Sequence, residues 1–152
     1  MKEIALQKFT EIATKLGVTK LVAPEAQAIV GLGRLAIDAD RSVDGDELDL
    51  YDDLADLICE LAAADSDEIV EAEDRKPRGD DDRVARIADG ATKLTTTPVR
   101  ELGYAVAFVL TLADLSIQPA EDAYLAQLQD ALKISDDRQA EIAATISDAI
   151  AE

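Results

Sequence analysis

The stretch DADRSVDGDELD, residues 38 to 49, sets five aspartates and one glutamate in twelve positions, with apolar chain on both sides. Carboxylates at this density suit a hard divalent cation. Calcium gathers six to eight oxygen ligands, whereas magnesium accepts fewer protein oxygens and keeps part of its water shell. Asp38, Asp40, Ser42, Asp44 and Asp46 alternate as the ligands of an EF-hand loop do. Counted from Asp40, Ser42 is third, Asp44 fifth and Gly45 sixth, but Tyr51 stands twelfth, where that loop needs a bidentate glutamate. The loop is therefore not an intact EF-hand. A purely structural reading competes: Asp44 and Glu47 have the spacing of a helix capping box, which contributes about 1 kcal/mol and needs no ion.

Other chemistry has little to work with. The chain has no histidine, so the commonest general base and transition-metal ligand is missing, and Cys59 has no imidazole to activate it. Cys59 lies beside Ile58 in a helical pattern and reads as a small buried or boundary residue. Gly31-Leu32-Gly33 follows no strand and lacks a further glycine at dinucleotide-binding spacing. Serines and threonines fall mostly at caps and turns. The expectation is a non-enzyme without an organic cofactor.

Charge narrows the partners. With 33 acidic and 15 basic residues the net charge is -18, which repels nucleic acid and anionic lipid and attracts cations or a basic protein surface. Solubility alone, or a high-salt host, would also account for such acidity. No run approaches the roughly 20 apolar residues of a membrane span, and the first 17 residues lack a signal-peptide core, so a cytoplasmic location is expected. A single cysteine fits a reducing compartment.

Helices must position the acidic stretch. The chain is 48% hydrophobic yet only 3% aromatic, a core of Ala, Leu, Ile and Val that suits packed helices. Ile4, Phe9, Ile12, Ala13 and Leu16 recur at helical spacing before Gly17. Pro24 opens a second helix that is apolar over a wide arc, so it should be central, with Gly31 and Gly33 required by a close neighbour. Leu50, Leu54, Leu57, Ile58 and Leu61 form one stripe of a third helix whose other side is acidic. Asp65 and Glu68 cap a short helix over 66–73, and Pro77 and Gly79 mark a connector. Further helices are expected over about 81–94, from Thr97-Pro98 through the most apolar segment, from Pro119, and from Ser135.

A shift of 74 residues superimposes the chain on itself. It sets Pro24 on Pro98, Ala39-Asp40 on Ala113-Asp114, Ser42 on Ser116, Glu47 on Glu121 and Leu54 on Leu128. The sequence thus reads as one all-α domain over 1–152, an internally duplicated bundle of seven to eight helices. Repeat A covers about 1–73, a connector 74–82, and repeat B about 83–152. Face-to-face packing about a pseudo-twofold axis would bury both apolar helices.

At these residues the chain resembles the TerB tellurite-resistance family, whose helical repeats carry a corner close to A-D-G-x-[IV]-x-x-x-E. The copies here are ADRSVDGDE, 39 to 47, and ADLSIQPAE, 113 to 121. Arg41 and Leu115 stand where the family has glycine. The resemblance implies an all-helical fold, divalent-cation binding through acidic residues, and a place in bacterial stress systems that include membrane-bound partners. Carried over by position, the ligands are Asp40 and Glu47 in the first corner and Asp114 and Glu121 in the second. The residues themselves add Asp44. The expected function is a non-catalytic module that binds calcium or magnesium at its corners and engages a protein partner. The alternative is a metal-independent acidic scaffold.

Overall fold

A computed structural model of the chain describes residues 2–39, 45–76, 80–111 and 119–151. Among these the protein is all-α, with eight helices and no strand. They are α1 (Lys2–Lys15), α2 (Ala23–Asp38), α3 (Gly45–Ala62), α4 (Ser66–Asp74), α5 (Asp80–Lys93), α6 (Thr97–Thr111), α7 (Pro119–Ala131) and α8 (Asp136–Ala151). The helices on either side of Pro77 and Gly79 run to Asp74 and resume at Asp80, inside the span 74–82 read as connector.

Local chemistry explains the ends. Gly17 takes φ +88°, and Val18 N donates to Ala13 O across it, a Schellman closure that stops α1. Asp65 accepts from Glu68 N at 3.3 Å and starts α4, while Ser135 Oγ accepts from Arg138 N at 3.1 Å and starts α8. Prolines sit in the first turns of α2 and α6. There the missing N–H is one the helix cannot use.

The core lies where α2 crosses α6, the most extensive helix contact in the molecule. Ala26 through Ile37 are buried on α2 apart from the half-buried Gln27, and Glu101 through Thr111 on α6. Around this pair α3 and α5 pack on α2, and α7 and α8 on α6. Phe9 and Ile12 of α1 share a small cavity with Leu102, Ala105, Val106 and Val109 of α6. The expected close approach at Gly33 is to α6: a Cβ there would lie 3.0 Å from Leu110 Cδ1. At Gly31 the neighbour is Glu73 of α4, whose Oε2 would lie 2.8 Å from such a Cβ.

Helix starts follow the 74-residue shift, α2 and α6 at 23 and 97, α3 and α7 at 45 and 119. Beyond them the interval shortens to 70. Ala63 (φ 52°) and Lys133 (φ 59°) hold the same left-handed position after α3 and α7, and Ala64 N→Cys59 O matches Ile134 N→Gln129 O. Asp65 and Ser135 are then the matching N-caps. Four residues are about one helical turn, so a helix shorter by that much can keep the same buried face.

Candidate functional site

The expected cation ligands fall in the two elbows. Asp40, Asp44 and Asp114 lie outside the described residues, and Glu47 and Glu121 begin α3 and α7 with side chains also outside them. Among the described residues, no group of three histidine, cysteine, aspartate or glutamate side chains is arranged to hold a metal. The frame of the first elbow is described, and it is strongly charged.

At its base stands Arg34, one turn before the end of α2 and only 8% exposed. Its Nε donates to Asp38 Oδ2 at 3.3 Å and its Nη1 to Asp74 Oδ1 at 3.2 Å, joining the C-terminal turns of α2 and α4. Both ends carry the negative pole of a helix, so the guanidinium offsets two carboxylates and two dipoles. It also stacks 5.6 Å from the Tyr51 ring centroid. The Tyr51 hydroxyl is buried and finds no hydrogen-bond partner among the described residues. Burial, then the negative charge of Asp74, pushes its ionisation upward, so it stays a neutral phenol.

Next to Tyr51 on α3, Asp52 has its carboxyl pushed up, first by partial burial and then by Asp74 and Asp49, with Arg34 opposing. The carboxylates framing the elbow thus repel one another despite Arg34. The oxygen-only donor set carried by the elbow fits calcium or magnesium, and has nothing to offer a soft metal.

The frame of the second elbow is different. Where the first has Arg34 and Tyr51, the 74-residue shift places Phe108 and Leu125, both buried. Thr111, fully buried at the end of α6, donates from Oγ1 to Phe108 O at 2.8 Å. The described part of this base is apolar. Tyr124 in the matching helix turns its hydroxyl inward, donating to Leu32 O of α2 at 2.7 Å.

Two buried carboxylates escaped the sequence reading. Glu73, 1% exposed, meets Lys76 Nζ at 2.8 Å and Arg86 Nη2 at 3.1 Å, seated against Gly31. Glu101, 5% exposed, takes a bidentate pair from Arg138, Nε at 2.6 Å and Nη2 at 2.9 Å. Glu101 left a signal, a lone acid inside the most apolar segment, which needs a cation to be buried there. Glu73 left none, since EIVEAEDRK reads as an exposed acidic helix end. Cys59 is buried as expected, and burial pushes its thiol up, away from the reactive thiolate.

Comparison with known proteins adds no relative: no protein-family model, no curated protein and no solved structure matches the chain.

Proposed function

We propose that the chain is a non-catalytic, TerB-like binding module, built from two copies of one helical unit, that takes a divalent cation at its first elbow and engages a protein partner. The observation that carries this reading is the convergence of Asp38 and Asp74 on Arg34 at the base of an elbow rich in further carboxylates. A single guanidinium serves the ends of two helices, while Asp49 and Asp74 still raise the proton affinity of Asp52. A cation held by Asp40, Asp44 and Glu47 would relieve that repulsion, calcium ahead of magnesium because the elbow offers many oxygens. The 74-residue recurrence of helix starts supports the duplicated unit. The apolar base under the second elbow ranks Asp114 and Glu121 as the weaker pair.

Titration calorimetry with calcium and with magnesium tests the reading on wild type and on Asp40→Asn/Glu47→Gln. Heat of saturable binding is expected in wild type and lost in the variant. Flat traces from both proteins would remove the cation site.

A second reading has its own support, the exposed acidic face of α3 with Asp49, Asp52, Asp56 and Glu60 outward. A metal-independent scaffold would bind a basic surface there, with affinity that falls with salt and survives chelator. Pull-down with and without chelator separates the two.

A further inference from the structure

Helices α4 and α8 hold matching places, related by the interval of 70 residues, but they are fastened in different ways. On α8, Ile142, Ile146 and Ala149 are buried, and the helix packs against both α6 and α1. On the first half the same interval places the half-buried Ala72 where Ile142 stands, and Lys76, just past the end of α4, where Ile146 stands. Ile69 is the one apolar side chain that α4 fully buries, with Val70 half-buried. A helix of nine residues does not persist without packing, so other contacts must hold it.

Those contacts are polar. At the start of α4, Ser66 Oγ donates to Asp56 of α3 at 2.5 Å. Near its end Glu73, 1% exposed, is held by Lys76 at 2.8 Å and by Arg86 of α5 at 3.1 Å, and Asp74 meets Arg34 of α2 at 3.2 Å. Lys76 follows α4 directly, so Arg86 and Arg34 are the groups that tie this end to neighbouring helices. Among the described residues α4 and α5 hardly touch. A narrow cleft of about 20 Å³ lies between them over α2, lined by Gly31, Leu35, Glu73, Arg86 and Gly90, and the Glu73–Arg86 pair spans it. Burying such a pair costs the desolvation of both ions, which cancels much of their attraction, whereas a buried isoleucine stabilises outright.

We propose that α4 is a latch, a helix that swings off α2 from its Asp74 end while α8 and the α2–α6 core stay in place. Opening parts Glu73 from Arg86 and Asp74 from Arg34, and it uncovers α2 at Gly31. Arg34 then keeps Asp38 and loses Asp74, so the charge at the base of the first elbow follows the position of α4. The latch needs no cation in the elbow and stands whether or not one binds there.

The test is native-state hydrogen exchange on the full chain in chelator, read amide by amide. Amides 70–74 are expected to exchange about a hundredfold faster than amides 142–146, the ratio that two buried isoleucines set. Their rate should barely change in low urea, as local opening exposes little surface. Glu73→Gln should speed exchange at 70–74 about tenfold and leave 142–146 unchanged. Ala72→Ile restores the isoleucine of the second half, with room for it in the open groove of about 570 Å³ beside α4, and should slow exchange at 70–74 about tenfold. In a Glu73→Gln chain that does not fold, Ala72→Ile alone decides. Protection of α4 equal to that of α8 overturns the latch, as does exchange at 70–74 with the urea dependence of α2. Exchange that Glu73→Gln does not speed, or that Ala72→Ile does not slow, overturns it too.

Discussion

Replacing Tyr51 with phenylalanine should leave the protein as stable or more stable, and replacing Tyr124 with phenylalanine should weaken it. Both rings are buried, at 2% and 0% exposure, and both substitutions keep the ring and lose one oxygen. The difference lies in the hydroxyls. Tyr124 donates to Leu32 O at 2.7 Å, and such a bond is worth about 1 kcal/mol net. Leu32 O lies within α2, where the helix ladder also uses it, so its loss leaves no unsatisfied acceptor. Tyr51 has a hydroxyl buried without a described partner, and a lone buried hydroxyl costs about 1–3 kcal/mol. Removing it should return about 1 kcal/mol, with the contact to Arg34 kept by the ring. The two variants should therefore differ by about 2 kcal/mol, or about 4–8 °C in melting temperature for a domain of this size. Urea unfolding followed by circular dichroism gives the free energies, and a thermal scan the midpoints. A Tyr51→Phe variant that loses 1 kcal/mol or more would refute the reasoning, because its hydroxyl would then have a bonding partner.

Gly31→Ala brings a Cβ to 2.8 Å from Glu73 Oε2, an oxygen held by Arg86. Overpacking of this kind costs about 1–3 kcal/mol, against a helix-propensity gain of about 1 kcal/mol. A net loss is expected by urea unfolding, and it should shrink in a Glu73→Ala background, where the obstructing carboxylate is gone. Asp52→Asn should raise stability at neutral pH. The Asp52 carboxyl binds its proton more tightly in the folded protein than in the unfolded chain, so stability falls as pH rises above the ordinary carboxylate value near 4. The gain of the variant over wild type in urea midpoint should be present at pH 7 and vanish below pH 4. If calcium occupies the first elbow, it should reduce that gain.

The fold was largely legible because periodicity and caps are local. Pro24, Pro98, Asp65 and Ser135 marked helix starts from their own chemistry, and each lies at or within the first turn of a helix. The breadth of the apolar arc in α2 and α6 announced that these helices would be central, since a helix buried on most sides has no room for a polar face. That α7 is shorter than α3 was hidden because a difference of about one turn preserves the apolar stripe that the 74-residue shift followed. The buried ion pairs were hidden for another reason. Arg138 and Glu101 are 37 residues apart, and Arg86 and Glu73 are 13, so only the fold brings them together. Gly31 was read as a place for a neighbouring helix, yet what fills the space is a carboxylate, and a glycine does not reveal which atom approaches it.

The differences between the halves fall where function would act. Between α2 and α6 most matching positions from 28 and 102 onward stay apolar, because both helices fill the same core. At the elbow bases the pairs are Arg34 with Phe108 and Tyr51 with Leu125, a charged and polar base against an apolar one. Between α2 and α4 stand Gln27 and Glu68, and at the matching places between α6 and α8 stand Glu101 and Arg138, which pair with each other. At the elbow base the paired arginine belongs to the first half, and between α6 and α8 it belongs to the second. Asp40 and Glu47 of the first elbow and Glu68 of α4 are separate side chains, so the elbow can be changed by substitution while α4 is left as it is.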